Sequence, residues 1–277
     1  MVATPIGNLA DITLRALHVL SLVDAVACED TRVTGGLLRH WGLTKPLLSV
    51  HQHNEQAGAQ GIVERLQQGQ RVAYVSDAGT PAVSDPGAVL VAAVVAAGLR
   101  VFPLPGASSA LTALSVAGDH HAKGFAFVGF LSTKANERMQ TLRTLAENAA
   151  TQVLFEAPHR IEQLLQQMAQ VMPNQTVTVC RELTKQFEQV ITLKAHALPA
   201  WFVLDANHGR GEFVVVLHSH IVVASRDALP AHAVRMLEIL LKELPLKQAA
   251  SLGAELSGVS RKALYQYALS LKADEAH

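Results

Sequence analysis

Cysteine is scarce: Cys28 and Cys180 are the two in 277 residues, far apart and outside any CxxC pattern. A disulfide-stapled scaffold and a zinc ribbon are thereby excluded, and a reducing compartment fits. Net charge is missing too, with 23 Lys plus Arg set against 23 Asp plus Glu. No global positive field advertises a nucleic-acid partner, so any RNA contact must come from local basic clusters. The longest apolar run, Ala88 to Leu99, is too short to span a bilayer and reads as a buried helix rich in Ala and Val. No basic segment followed by an apolar core opens the chain, so no secretory signal is visible, and a cytoplasmic location without a membrane partner is expected. Neither GxGxxG nor GxxxxGK[ST] occurs, which argues against dinucleotide and ATP binding. Solenoid repeats and low-complexity stretches are absent.

What is there is apolar and ordered. Hydrophobic residues make up 49% and charged residues 17% of the chain, ample for a packed core, and the length suits one large or two ordinary domains. Met1, Val2 and Ala3 run straight into Thr4-Pro5-Ile6-Gly7, so the chain is expected to begin inside its first strand, with room for residues upstream. Strand-like runs follow at Ala25 to Cys28, Leu47 to Val50, Arg71 to Val75 and Leu99 to Phe102, separated by segments of helical spacing. Asp11 is the expected N-cap of the first helix, and Gly69 the expected terminator of the second. Strand alternating with helix means parallel crossovers, so residues 1–118 are expected to form an α/β domain with a parallel sheet.

Beyond a hinge at His120 to Gly124, strands are expected at Phe125 to Val128, Gln152 to Phe155, Thr176 to Cys180, Gln189 to Leu193 and Glu212 to Leu217. Helices fit Glu137 to Glu147 and Arg160 to Val171. Some strands follow one another without a helix between them, so residues 122–220 are expected to form a second α/β domain with a mixed sheet. Residues 226–277 read as a helical tail opened by Leu229-Pro230. It is helix-turn-helix-like, turns at Gly258 and carries Arg261, Lys262, Tyr265 and Tyr267.

Ligands of parallel sheets sit outside the carboxyl ends of the strands. The residues there are unusually polar: Thr4-Pro5-Ile6-Gly7-Asn8, Glu29-Asp30-Thr31-Arg32, His51-Gln52-His53-Asn54-Glu55, Ser76-Asp77-Ala78-Gly79-Thr80-Pro81 and Pro103-Leu104-Pro105-Gly106-Ala107-Ser108-Ser109. Five loops converging on one edge point to a functional cleft. Each alone has a plainer explanation in turn chemistry, helix capping or surface ion pairs. His51 and His53 lack a complementary ligand set, so no metal site is expected. Pro5 removes an amide donor where a pyrophosphate would need one. S-Adenosylmethionine carries no phosphate; it needs an apolar slot for adenine, an acceptor for the ribose and donors for a carboxylate. Gly79 and Gly106 permit close backbone approach, and Asp77 can accept from a ribose or an ammonium.

With these residues in hand, the chain resembles the ribosomal RNA small subunit methyltransferase I family of the tetrapyrrole methylase superfamily. These are class III S-adenosylmethionine-dependent methyltransferases. The motifs that carry the resemblance are Thr-Pro-Ile-Gly-Asn at 4–8, Glu-Asp-Thr-Arg at 29–32, His-Asn-Glu at 53–55 and Ser-Asp-Ala-Gly-Thr-Pro at 76–81. Further along come Pro-Leu-Pro-Gly at 103–106, Arg-Glu-Leu-Thr-Lys at 181–185, Gly-Glu at 211–212 and the tail around Lys262-Ala263-Leu264-Tyr265. At Ala157-Pro158-His159-Arg160 the His-Arg pair follows the family and the preceding pair varies. The resemblance spans essentially the whole chain. It implies two α/β domains with the cofactor in the cleft between them, a homodimer, and methyl transfer to the ribose 2′-hydroxyl of a cytidine in the decoding region of 16S rRNA.

On that resemblance, cofactor contacts are expected from Pro5 and Gly7 near the methionine moiety, Asp77, Gly79 and Thr80 beneath it, Ser108 and Ser109 as donors, and Phe155 over the adenine. Candidate proton acceptors are Glu29, Asp30 and Glu182; Arg32, Arg181 and Lys185 are candidates for the flanking phosphates. All six also fit a structural ion-pair network. The target lies in folded RNA, so an assembled small ribosomal subunit is the expected partner, and the tail is either an RNA contact or a packing bundle. The alternatives are a superfamily enzyme acting on a tetrapyrrole or a protein side chain, and a non-catalytic RNA-binding assembly factor.

Overall fold

The computed structural model describes residues 1–51, 54–84, 87–220, 229 and 231–274. Gln52, His53 and Pro230, which figured in the expected loops and helix start, lie outside the described residues. The chain folds as two compact units, Met1–His220 and Ile221–His277.

The first unit opens with a short 3-10 turn, Leu9–Asp11, and the helix α1 (Leu14–Leu22). The cap of α1 is Thr13, whose Oγ1 accepts from the Ala16 amide at 3.0 Å; Asp11, the expected cap, is spent in the preceding turn. Then follow β1 (Ala25–Cys28), α2 (Thr31–His40), β2 (Leu47–Ser49), α3 (Glu55–Gln67), β3 (Val72–Val75), α4 (Ala88–Ala96) and α5 (Ser109–Ala117). As expected, Gly69 ends α3 at φ +82°, with its amide on the Leu66 carbonyl.

The three strands form a parallel sheet in the order β2-β1-β3. The opening stretch extends it. Val2 donates to the Tyr74 carbonyl at 2.9 Å and bridges Leu104 on its other side. The expected strand Leu99 to Phe102 is not formed: the opening stretch meets it through the Met1 amino group on the Phe102 carbonyl and makes its one bridge beyond it, at Leu104. Expected as a buried helix, α4 buries Leu90 and Val94 against α3 and leaves Val95 59% exposed, since one of its sides has no partner within the unit.

The second half of this unit contains β4 (Phe125–Phe130), α6 (Ala135–Glu147), β5 (Thr151–Glu156), α7 (Ile161–Val171), β6 (Thr176–Arg181), β7 (Gln189–Lys194), α8 (Leu198–Phe202) and β8 (Phe213–Leu217). The sheet order is β4-β5-β8-β6-β7, with β4 and β5 parallel and the other pairs antiparallel, the mixed sheet that the missing crossovers require. Alternation separates its two faces. Leu154, Val177, Val179, Phe213 and Val215 pack under α6 and α7, while Val153, Cys180, Val214 and Val216 pack with Ile6 and α5.

The two halves are tied by Asp119, just beyond α5. Its carboxylate accepts from Thr151 Oγ1 at 2.6 Å, the Ser219 amide at 2.5 Å and Ser219 Oγ at 2.7 Å. Burial works to raise the Asp119 carboxyl, and these donors outweigh it, so it sits below the usual carboxylate range. A depressed folded value means stability that is fully present above the ordinary carboxylate pKa and lost as pH falls through the lowered one. Asp119→Ala is therefore expected to cost about 1–2 kcal/mol at pH 7, a difference from the parent that shrinks as the pH falls below the ordinary carboxylate range. Urea midpoints across that pH range check it.

The described residues of the second unit form three helices, α9 (Ala231–Glu243), α10 (Leu246–Ser257) and α11 (Arg261–Asp274). Ala233, Leu237, Ala249, Ala250, Leu264 and Ala268 form its core. The turn between α10 and α11 falls at Gly258, as expected, where φ is +71°.

Candidate active site

The site is built from three loops of the first half stacked on the second sheet. Thr4 and Gly79 exchange both backbone hydrogen bonds, at 2.9 and 3.1 Å, which draws the Pro5-Ile6-Gly7 turn onto the loop after β3. Thr80 Oγ1 donates to the Ala107 carbonyl at 3.0 Å, joining that loop to the one before α5. Gly79 holds φ +77°, and a Cβ there would sit 3.2 Å from Ile6 Cγ2, so this position needs glycine both for its backbone and for the approach. Ala82 and Ser84, in the same loop, are also left-handed, at φ +67° and +64°. Such conformations cost free energy and persist where the surrounding structure imposes them.

Between these loops and the second sheet lies a cavity of about 380 Å³, within the range of small-molecule sites. Its lining includes Gly79, Thr80, Ser108, Ser109 and Phe155, five of the eight expected cofactor residues. Pro5, Gly7 and Asp77 flank it through their lining neighbours Ile6 and Ala78. Phe130 and Phe155 form an aromatic wall, their rings meeting edge to face at 5.6 Å. Ser108 is the N-cap residue of α5 yet makes no capping bond through its hydroxyl, so hydroxyl and helix amides are available at the cavity wall.

The Glu29-Asp30-Arg32 group stands apart from that lining. Asp30 caps α2, accepting from the Arg32 amide at 2.8 Å, and pairs with the Arg32 guanidinium at 2.6 Å, which brings its carboxyl down to about 2. Its own amide donates to Asp77 Oδ1 at 3.1 Å, so the ends of β1 and β3 are linked. Burial, assisted by the Asp77 charge, pushes the Glu29 carboxyl up.

The Arg181-Glu182-Lys185 group divides. Arg181 is in register with Phe213 at the end of β6 and is not among the residues that line the cavity. Its Nη1 donates to the Arg210 carbonyl at 3.2 Å, supporting the turn that leads into β8. Glu182 follows the strand end at φ +52°. Its carboxylate accepts from Lys185 Nζ at 2.8 Å and from the Glu212 amide at 2.9 Å, and Lys185 Nζ also reaches Glu212 Oε2 at 2.9 Å. Burial works to raise Glu182 and is outweighed by these partners, leaving it below the usual range; the same bonds outweigh burial at Lys185 and hold its ammonium above its ordinary value. A Cβ on Gly7 would come within 2.5 Å of Lys185 Cγ, so the first-strand turn lies directly on this ion cluster.

Glu212 and Ser84 line the cavity although neither was singled out as a site residue. Glu212 was legible only as half of the Gly-Glu motif, because it precedes a strand rather than follows one. Among the described residues no group of three or more His, Cys, Asp or Glu is placed to hold a metal ion. The cavity does fit S-adenosylmethionine. Apolar and aromatic walls suit an adenine, the hydroxyls and free amides at α5 suit a carboxylate, and the glycine approaches leave a slot that side chains would fill.

Comparison with known proteins agrees with this geometry. The family model described as Tetrapyrrole (Corrin/Porphyrin) Methylases matches residues 1–199, and the one described as RsmI C-terminal HTH domain matches residues 227–272. Ribosomal RNA small subunit methyltransferase I of Escherichia coli O157:H7 is 46% identical over 270 residues, 97% of this chain and 93% of that protein. The protein of the same name from Haemophilus influenzae is 43% identical over 271 residues, covering 98% and 95%. Among solved structures, uroporphyrin-III C-methyl transferase from Thermus thermophilus complexed with S-adenyl homocysteine shares the fold. Its TM-score is 0.53 at 17% identity, over 78% of this chain and 94% of that one. The chain belongs to the ribosomal RNA small subunit methyltransferase I family of the tetrapyrrole methylases.

Proposed function

We propose that this chain transfers a methyl group from S-adenosylmethionine to the ribose 2′-hydroxyl of a cytidine in the decoding region of 16S rRNA. The observation that carries this reading is the cavity into which Gly79 of the loop after β3, Ser108 at the head of α5 and Phe155 of β5 are gathered in a chain of this family. S-Adenosylmethionine supplies an activated methyl group on its sulfonium; the protein supplies alignment and a path for the hydroxyl proton. Gly79, Thr80 and Asp77 underlie the cofactor, Pro5 and Gly7 border its methionine end, Ser108 and Ser109 donate to it, and Phe155 covers its adenine. Residues 1–118 and 122–220 act as the two α/β domains that enclose it.

Arg32, 89% exposed in its side chain, and Lys185 are assigned to the phosphates beside the target. Arg181 keeps the 210–212 turn in place. The working state is a cytoplasmic homodimer acting on an assembled small subunit, with the helical tail as an RNA contact.

The test is labelled methyl transfer to small subunits, naked 16S rRNA, protein and porphyrinoid precursors. Label is expected in 16S rRNA of subunits, with one decoding-region cytidine protected from alkaline cleavage. Removing residues 226–277 is expected to weaken that activity and leave S-adenosylmethionine binding intact. Label confined to porphyrinoids or protein, or absent altogether, would sink the reading.

A further inference from the structure

The strand β8 runs antiparallel to both β5 and β6, so its amino end arrives where the carboxyl ends of those two strands open on the cavity. Glu212 stands at that amino end. Val214 and Val216 belong to the apolar cluster that includes Ile6 and Phe155, while Phe213 turns to the opposite face. Glu212 immediately precedes the strand and is one of the residues that line the cavity. Two carboxylates belong to the described lining. The Glu156 side chain is wholly buried on the other face against Arg160, whereas that of Glu212 is 78% exposed. Reagents in the cavity can reach only the second.

The surroundings of Glu212 are built around it. Lys185 Nζ, 2.9 Å from Glu212 Oε2, is itself anchored on Glu182 Oε1 at 2.8 Å. Glu182 is held at φ +52°, and Gly211 at φ +90° leaves the space its side chain fills. On the far side, Gly7 leaves the space for the Lys185 stem. Lys185 and Glu182 are poor proton acceptors here: the ammonium is held above its ordinary value, and the carboxyl below its own.

We propose that Glu212 takes the proton of the attacking ribose hydroxyl, with Lys185 as the positioning residue that holds its carboxylate at the cavity mouth. The assignment rests on the methyl-transfer reading above. As the hydroxyl oxygen bonds to the methyl carbon, the carbon–sulfur electron pair stays on sulfur and the hydroxyl proton passes to a Glu212 carboxylate oxygen, which later releases it to water.

Three variants, Glu212→Gln, Glu212→Asp and Glu212→Ala, are compared with the full-length parent by calorimetry with S-adenosylhomocysteine and by single-turnover methyl transfer to small subunits. Glu212→Gln is expected to bind S-adenosylhomocysteine within about threefold of the parent and to transfer methyl at least about 100-fold more slowly, in the range of general-base catalysis. Glu212→Asp should fall between, and added formate should restore part of the Glu212→Ala rate. A Glu212→Gln rate close to the parent's overturns the assignment, as does a loss of affinity that matches the loss of rate. A parent chain that binds S-adenosylhomocysteine but leaves subunits unlabelled overturns the functional reading, and the assignment with it.

Discussion

Arg160→Ala is expected to destabilise the first unit by about 3–5 kcal/mol, the range for removing one partner of a buried ion pair. The Glu156 side chain is wholly inaccessible, and Arg160 Nε lies 3.1 Å from its Oε1. The approach is off the line of a hydrogen bond, so the contact is ionic, and Glu156 Oε2 is buried without a hydrogen-bond partner. Without the guanidinium, an uncompensated carboxylate remains in the interior. Arg160 also donates through Nη2 to the Leu131 carbonyl at 2.7 Å and the Ser132 carbonyl at 3.3 Å. It therefore pins the exit of β4 to the turn after β5, and Glu156, Ala157 and Pro158 in that turn line the cavity. A drop in S-adenosylhomocysteine affinity should accompany the loss of stability. Replacing both Glu156 and Arg160 with leucine should recover part of the loss, because no charge is then left unpaired. Urea unfolding of the single and double variants decides; a double variant no more stable than Arg160→Ala would show that the carbonyl contacts, and not the ion pair, carry the effect.

How far such features could be read beforehand depends on whether they are local. The runs Ala25 to Cys28 and Thr176 to Cys180 announced their strands because β-branched or small apolar residues continue unbroken between turns, as buried strands require. Thr13 and Asp11 both have capping side chains, and only the path of the 3-10 turn decides between them. Leu99 to Phe102 has a strand's composition, but a strand exists only with a ladder, and the opening stretch makes its one bridge outside this run, at Leu104. In the site, the loop after β3 was legible because a parallel strand presents its carboxyl end at the edge where ligands sit. Glu212 was not, since the direction of β8 is a long-range property fixed by its pairing with β5 and β6. Arg181 beside Glu182 poses the same problem. Glu182 stands just past the end of β6 at φ +52°, so strand alternation does not fix its direction; the turn into β8 that packs against it does.

Gly79→Val is expected to weaken S-adenosylhomocysteine binding by roughly 10- to 100-fold, equivalent to about 1.4–2.8 kcal/mol. Three costs coincide at this residue. A β-branched side chain at φ +77° is a true outlier, with strain of about 1–3 kcal/mol. The new Cβ meets Ile6 Cγ2 at 3.2 Å, so the first-strand turn must give by a few tenths of an ångström, while the Ala107 carbonyl at 3.7 Å is in ordinary contact. The turn can give only by disturbing the paired Thr4–Gly79 hydrogen bonds that hold the cavity wall together. Part of the penalty will fall on folding, so affinity must be measured well below the melting temperature. Gly61→Ala is the matched control: Gly61 lies inside α3 with open space around it and an ordinary helical φ. It should leave binding unchanged and gain about 0.5–1 kcal/mol in stability. If Gly79→Val bound S-adenosylhomocysteine as tightly as the Gly61→Ala chain, the loop after β3 would not be a wall of the cofactor site.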